Sequence, residues 1–168
     1  SIGIRDRLWS RAMAVEQGGK TCVVISNDLI HLDLKDTNLI RQYVSADTGL
    51  PPEAVMVHCT HTHSGPATGD LSGWGQPYAP YVETLPRRIA AAAAAALGTL
   101  QEATLQHAEV PCEGVGLNRE YDKDAPPLEE VLDENWRPAH PELTDTTCQV
   151  LVARAADAPN EVIGFGSY

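Results

Sequence analysis

Two short segments near the start constrain the chain more than anything else in it. Residues 21–26, TCVVIS, form a nearly continuous apolar run rich in β-branched side chains, and residues 11–16, RAMAVE, read as a shorter strand. Between them stands QGGK at 17–20, where two glycines supply the positive φ that a tight hairpin needs. The reading is an antiparallel hairpin whose second strand is apolar enough to be buried on both faces. A chain that opens this way must build a sheet and cover it.

The elements that follow supply the cover. Asp36 is read as the cap of a helix running to about Thr48, with Leu39, Ile40, Tyr43 and Val44 as its apolar stripe. Gly49 ends that helix, and Pro51 and Pro52 prevent its return. A third strand at 53–58 runs straight into a histidine-bearing segment. A second helix is expected over about 80–97, kinked by Pro86 and carrying the alanine run 90–96. Strands near 103–110, 146–153 and 162–168 complete the order, and the polar stretch 117–140 reads as a long functional loop.

This alternation implies an α/β fold, a mixed β-sheet with packed helices. The strands at 21–26, 53–58 and 146–153 are expected to share one sheet, with the helix near 80–97 packed on it. Residues 1–168 show no internal repeat and no clear linker, so they read as one body. The strand-like pattern at 162–168 runs to the last residue, which suggests a truncated, partial catalytic domain with an open edge or exposed apolar residues there.

A net charge of −11 argues against a nucleic-acid partner, because phosphate backbones are bound through Lys and Arg. No apolar run approaches the ~20 residues of a membrane-spanning helix. No basic-then-apolar leader opens the chain. The cysteines at 22, 59, 112 and 148 fit no CxxC zinc spacing and are read as buried thiols rather than disulfides.

The sharpest motif is THTHSGP at 60–66. In an extended segment, side chains at i and i+2 share a face, so His61 and His63 can point at one place. That place suits a metal, because neutral imidazole is the commonest nitrogen donor to zinc. The competing reading is a pair of hydrogen-bonded surface histidines. The position of the motif, after an apolar strand and before a glycine-rich loop, favours a ligand site. His58 falls on another face and is read as structural. Zinc catalysis needs about three protein ligands, and His31, His107 and His140 are the remaining histidines, none within a motif. Asn118 and Arg119 follow a glycine-bearing turn. The guanidinium of Arg119 suits a carboxylate or a developing oxyanion, and equally a surface salt bridge. Asp28 either orients a ligand histidine or caps a turn. Trp74, Tyr78 and Tyr81 either line an apolar groove or pack their own loop.

Several of these pieces match one family. HTHSGP at 61–66 resembles the motif of the neutral and alkaline non-lysosomal ceramidases. RAMAVE at 11–16, VVISNDL at 23–29, PEAVMV at 52–57 and LNR at 117–119 are similar to segments of the same family. The resemblance covers most of the chain and is weakest over 120–142. It implies the N-terminal part of a ceramidase-like catalytic domain, in a zinc-dependent enzyme that cleaves the N-acyl bond of ceramide or a related N-acyl lipid. It further implies that His61 is a Zn2+ ligand, that His63 acts at the scissile amide, and that Arg119 contacts the substrate carbonyl or the product carboxylate. The family completes its zinc site with a later histidine, a glutamate and a tyrosine, expected beyond this chain, so the fragment alone is expected to be inactive. The implied partners are a lipid amide substrate and the remainder of its own catalytic domain, with peripheral membrane contact allowed. The implied location is secreted, periplasmic or cell-surface. Two other readings stand beside it. One is an HxH metal-dependent amidohydrolase of another fold, in which the pair usually ends the first strand rather than the third. The other is a non-catalytic domain with a vestigial metal site.

Overall fold

In the computed structural model, which describes residues 4–70, 72–73, 75–118, 120 and 127–168, the opening hairpin forms where its glycines direct it. β1 (Ser10–Gln17) pairs antiparallel with β2 (Lys20–Asn27), in register from Ser10 opposite Asn27 to Gln17 opposite Lys20. Gly18 and Gly19 have φ of 58° and 73°, the left-handed pair that a two-residue hairpin turn requires. The chain then crosses through α1 (Leu34–Thr48) and returns as β3 (Val55–Cys59), parallel to β2 and in register from Val23 opposite Val55 to Asn27 opposite Cys59.

α1 begins earlier than expected. Its cap is Asp33, without a side-chain cap bond, and Thr37 N–H closes the first turn on the Asp33 carbonyl. Asp36 lies inside that first turn, where its charge suits the helix N-terminus. Gly49 ends the helix as expected, at φ 77° with its N–H on the Ser45 carbonyl.

The expected helix over 80–97 is two helices, α2 (Ala79–Val82) and α3 (Leu85–Gly98). Pro86 does not kink an interior. It sits in the first turn of α3, where the missing N–H would have had no partner. Arg87 joins α3 to α1, pairing with Asp47 at 2.8 Å and lying over the Tyr43 ring at 4.7 Å.

One cluster holds these elements together. Val23, Ile25 and Val55 from the sheet, Ile40 and Val44 from α1, and Leu85, Ile89, Ala90 and Ala93 from α3 are buried in it, with Leu29 and Leu50 from the connecting segments. The expectation that β2 is buried on both faces is corrected. Val23 and Ile25 are fully buried, whereas Val24 between them is 42% exposed and Met56 beside it 57%. Both helices contribute to the Val23 and Ile25 face, and strand alternation puts Val24 on the other.

The chain divides into two compact units, Ser1–Leu100 and Gln101–Tyr168. The second holds β4 (Ala103–Pro111), the single turn α4 (Leu128–Val131), β5 (Thr147–Ala155) and β6 (Val162–Ser167). Its sheet is antiparallel in the order β4-β5-β6, with a shift of register at Ala153/Arg154. The strand expected at 146–153 therefore does not share a sheet with 21–26 and 53–58. β5 has an antiparallel neighbour on each side, so neither of its edges is free to join β1-β2-β3. In β6, Val162 and Phe165 are 47% and 73% exposed.

The four cysteines are unpaired. Cys59 and Cys148 are half-buried, but Cys22 and Cys112 are exposed, against the expectation of burial. Among the described residues no helix is long and apolar enough to cross a membrane.

The one-sided burial of the first sheet carries a prediction. Ile25→Ala empties a fully buried site and is expected to cost about 2–5 kcal/mol, the range for large-to-small core changes. Met56→Ala, on the opposite face, is expected to cost under about 1 kcal/mol. Urea titration of the two variants checks this; equal losses would mean that both faces are buried.

Candidate active site

Because β2 and β3 run parallel and end opposite each other at Asn27 and Cys59, the segments that leave them emerge side by side. Sheets of this kind place their ligands at that edge. The two segments are laced by a ladder of hydrogen bonds in which the first accepts and the second donates. Thr60 N–H donates to the Asn27 carbonyl at 2.9 Å, and His61 N–H to the Leu29 carbonyl at 3.0 Å. His61 Nδ1 reaches the Ile30 carbonyl at 2.9 Å, and the Thr68 hydroxyl donates to the His31 carbonyl. Four nearby carbonyls thus fix the path of the histidine segment.

Two buried polar side chains anchor this lacing, Asn27 and Thr68, each 1% exposed. The Asn27 amide donates to the His58 carbonyl at 2.8 Å and accepts the Ser10 hydroxyl at 2.7 Å, tying the ends of β1, β2 and β3 together. Gly69 follows Thr68 for lack of room. A Cβ there would lie 2.6 Å from His31 Nε2 and 2.9 Å from Asp33 Oδ1.

His61 and His63 do come together, with ring centroids 5.1 Å apart and ring planes at 70°. The period-two argument is not the reason. β3 ends at Cys59, and His61 has φ 60°, the one described non-glycine residue with positive φ. The left-handed turn at His61 re-aims the chain, and both rings are exposed. For a residue with a Cβ this conformation costs about 1–3 kcal/mol and persists where the surroundings over-determine it. The bonds to Leu29 and Ile30 provide that constraint.

The partner of His61 also selects its tautomer. A carbonyl oxygen only accepts, so Nδ1 must carry the proton in its bond to Ile30. In the neutral ring Nε2 then keeps its lone pair, the form a metal binds, with an outer carbonyl orienting the imidazole. His61 therefore fits as a single zinc donor. The described residues do not complete a site: they contain no group of three or more His, Cys, Asp or Glu side chains able to hold a metal ion.

The other residues singled out above separate into several cases. His58 bonds the Ser26 hydroxyl through Nδ1 at 3.3 Å, the structural role expected of it. The Asp28 carboxylate accepts Trp9 N–H at 3.0 Å and pairs with Arg11 at 3.1 Å. His31 lies beside the ladder, with Nε2 3.7 Å from Asp33 and a buried Nδ1 that has no partner among the described residues. In the second unit His107 bonds Gln149 at 2.6 Å, and His140 lies 3.2 Å from Glu142. The Glu142 carboxyl is held below its ordinary pKa by its own backbone N–H and by His140. Arg119 and Trp74 lie outside the described residues. Asn118 donates to the Leu143 carbonyl at 3.1 Å and accepts Glu120 N–H at 3.0 Å. Tyr78 is 68% exposed, whereas Tyr81 packs against the core and burial raises its hydroxyl pKa, an effect that Arg88 partly offsets. Burial likewise pushes the Cys59 thiol up. Asn27 and Thr68 were not foreseen. Asn27 had a signal: it follows Val23 and Ile25 at period two and so belongs to the buried face, where a polar group must be bonded.

With this geometry in hand, comparison with solved structures identifies the fold as that of part of a ceramidase, bearing out the α/β class and, at the level of fold, the resemblance read from the motif. One match is the neutral ceramidase from Pseudomonas aeruginosa, with a TM-score of 0.77 and 22% identity over 98% of this chain and 26% of that chain. Another is a ceramidase complexed with C2, with a TM-score of 0.71 and 21% identity over 98% of this chain and 26% of that one. The chain therefore spans about a quarter of these proteins. No family model and no curated protein sequence matches it.

The ladder predicts a local effect. Thr68→Val keeps the shape of the side chain and removes the donor to His31. It is expected to cost about 1–3 kcal/mol by leaving the part-buried His31 carbonyl without this donor. Hydrogen exchange should quicken at the amides of Thr60 and His61 while the amides within α3 keep their rates. Unchanged exchange in the 60–68 segment would show that the lacing is not held by this bond.

Proposed function

We propose that this chain is the histidine-bearing part of a zinc-dependent amide hydrolase that cleaves the N-acyl bond of ceramide or a related N-acyl lipid. The observation that carries the reading is the bond from His61 Nδ1 to the Ile30 carbonyl, which leaves Nε2 as a donor atom in the turn that follows β3. The shared fold with two ceramidases supports the reaction class, and the motif at 61–66 supports the site. The remaining zinc donors, a histidine, a glutamate and a tyrosine by the resemblance, would come from outside these 168 residues.

Within this reading each residue has one task. His61 binds the metal through Nε2. Zinc chemistry supplies a nucleophilic water at neutral pH. His63, with its ring 5.1 Å from that of His61, exchanges protons with the reacting amide and delivers one to the departing amine nitrogen. Arg119 offsets charge on the carbonyl oxygen. The long apolar chains of such a lipid call for an apolar groove, which these residues alone do not define, and for approach to a membrane surface.

A second reading is a non-catalytic domain with a vestigial metal site. The test separates the two. In the protein that carries this chain, zinc content and hydrolysis of an N-acyl-sphingosine are measured side by side. His61→Ala is expected to lose zinc. His63→Ala is expected to keep zinc and lose turnover by about 10²–10⁴-fold, the usual worth of a general acid–base group. Full zinc and full activity in both variants would refute the site assignment. A wild-type protein with neither zinc nor turnover would establish the vestigial reading.

A further inference from the structure

We propose that Asn27 is a positioning residue for His61, fixing the imidazole as the Nδ1-protonated tautomer before any metal arrives. The inference rests on the reading of His61 as a metal donor through Nε2, and it concerns how that state is held.

Three observations converge on Asn27. Its side chain is 1% exposed and its amide is fully engaged, with Nδ2 on the His58 carbonyl at 2.8 Å and on the Ile25 carbonyl at 3.4 Å, and Oδ1 accepting from Ser10 at 2.7 Å. Both neighbours of Nδ2 are acceptors, so the amide has one workable orientation. Its own carbonyl accepts Thr60 N–H at 2.9 Å and Leu29 N–H at 2.8 Å. One residue thus holds the chain at 58 and at 60, on either side of Cys59, and also turns its own strand so that the Leu29 and Ile30 carbonyls face His61.

The consequence is felt at His61. Its φ of 60° leaves the backbone little tolerance. Nδ1 meets the Ile30 carbonyl only while residues 58–61 and 27–30 keep their mutual placement. If the His58 carbonyl is released, β3 can shift against the turn at 28–30, and the bond to Ile30 lengthens. The ring then loses the acceptor that keeps its proton on Nδ1, and Nε2 is no longer reserved for a ligand. Ser10 is on the other side of the amide. Its loss weakens the tie to β1 and leaves the β2–β3 tie in place.

The test reads the tautomer directly in the metal-free chain, by nitrogen NMR of the histidine rings at about pH 8.5, where an ordinary imidazole is neutral. In the wild type His61 is expected to be protonated at Nδ1. In Asn27→Ala it is expected to shift toward the Nε2-protonated form, with at least a tenfold loss of zinc affinity in the protein that carries the chain, because the Ile30 carbonyl that orients the His61 ring is displaced. Turnover should recover when excess zinc is added. Ser10→Ala is expected to lower the melting temperature without moving the tautomer. Asn27→Asp, which keeps the shape and the Ser10 bond but loses the donor to His58, gives the same reading if the alanine variant does not fold. A tautomer unchanged in the folded Asn27 variants would overturn the proposal and reduce Asn27 to a fold-stabilising residue. A wild-type His61 protonated at Nε2 would instead overturn the reading of Nε2 as the metal donor.

Discussion

The parallel pairing of β2 with β3 is the constraint from which the site follows. A parallel pair cannot be joined by a tight turn, so the chain must cross through a helix, and α1 is that crossover. The same geometry puts both carboxyl ends on one edge, Asn27 opposite Cys59, with two segments leaving together. Their backbone groups lie beyond the sheet ladder and need partners. They find them in each other, as Asn27, Leu29, Ile30 and His31 carbonyls accept from Thr60, His61 and Thr68. The core beneath is the means of holding that edge still. Val23, Ile25 and Val55 seat the strands on α1 and α3, and burying such a side chain contributes about 1.5–3 kcal/mol.

A histidine with positive φ is the point where this support is used. Left alone, the left-handed conformation would relax. Here a main-chain bond and a ring bond arise from the same residue toward successive carbonyls, Leu29 and Ile30. The conformation, the ring direction and the tautomer are therefore set by one local arrangement. Asn27 and Thr68 are buried polar groups, costly to strand and effective at specifying one arrangement when satisfied. His61 and His63 are the exposed residues that this arrangement brings together.

Much of the fold was legible in residues whose local chemistry and tertiary role agree. The glycines at 18 and 19, the stop at Gly49 and the apolar stripe of α1 each point one way. The departures came where two rules competed. Pro86 reads as an interior kink if the helix is continuous, and as a first-turn residue if it is not; only tertiary structure says that α2 stops at Val82. The strand at 147–155 looks like a core strand of the first sheet, but strand partners are not encoded in hydrophobic period, and β4 and β6 claim both its edges. Of the site, the histidine pair was legible and its geometry was not. Period two predicted convergence from one strand, whereas the rings meet through a left-handed turn. The Ile30 carbonyl could not be foreseen, because any residue supplies a carbonyl and only the parallel register places this one.

In the proposed site the fold presents His61 to a metal through Nε2, with Nδ1 engaged by the Ile30 carbonyl. Substituting cadmium for zinc in the protein that carries this chain, and measuring the cadmium–nitrogen couplings of the His61 ring, tests it most directly. A coupling to Nε2 with the Nδ1 proton retained is expected. A coupling to Nδ1, or none to either nitrogen of His61, would contradict it.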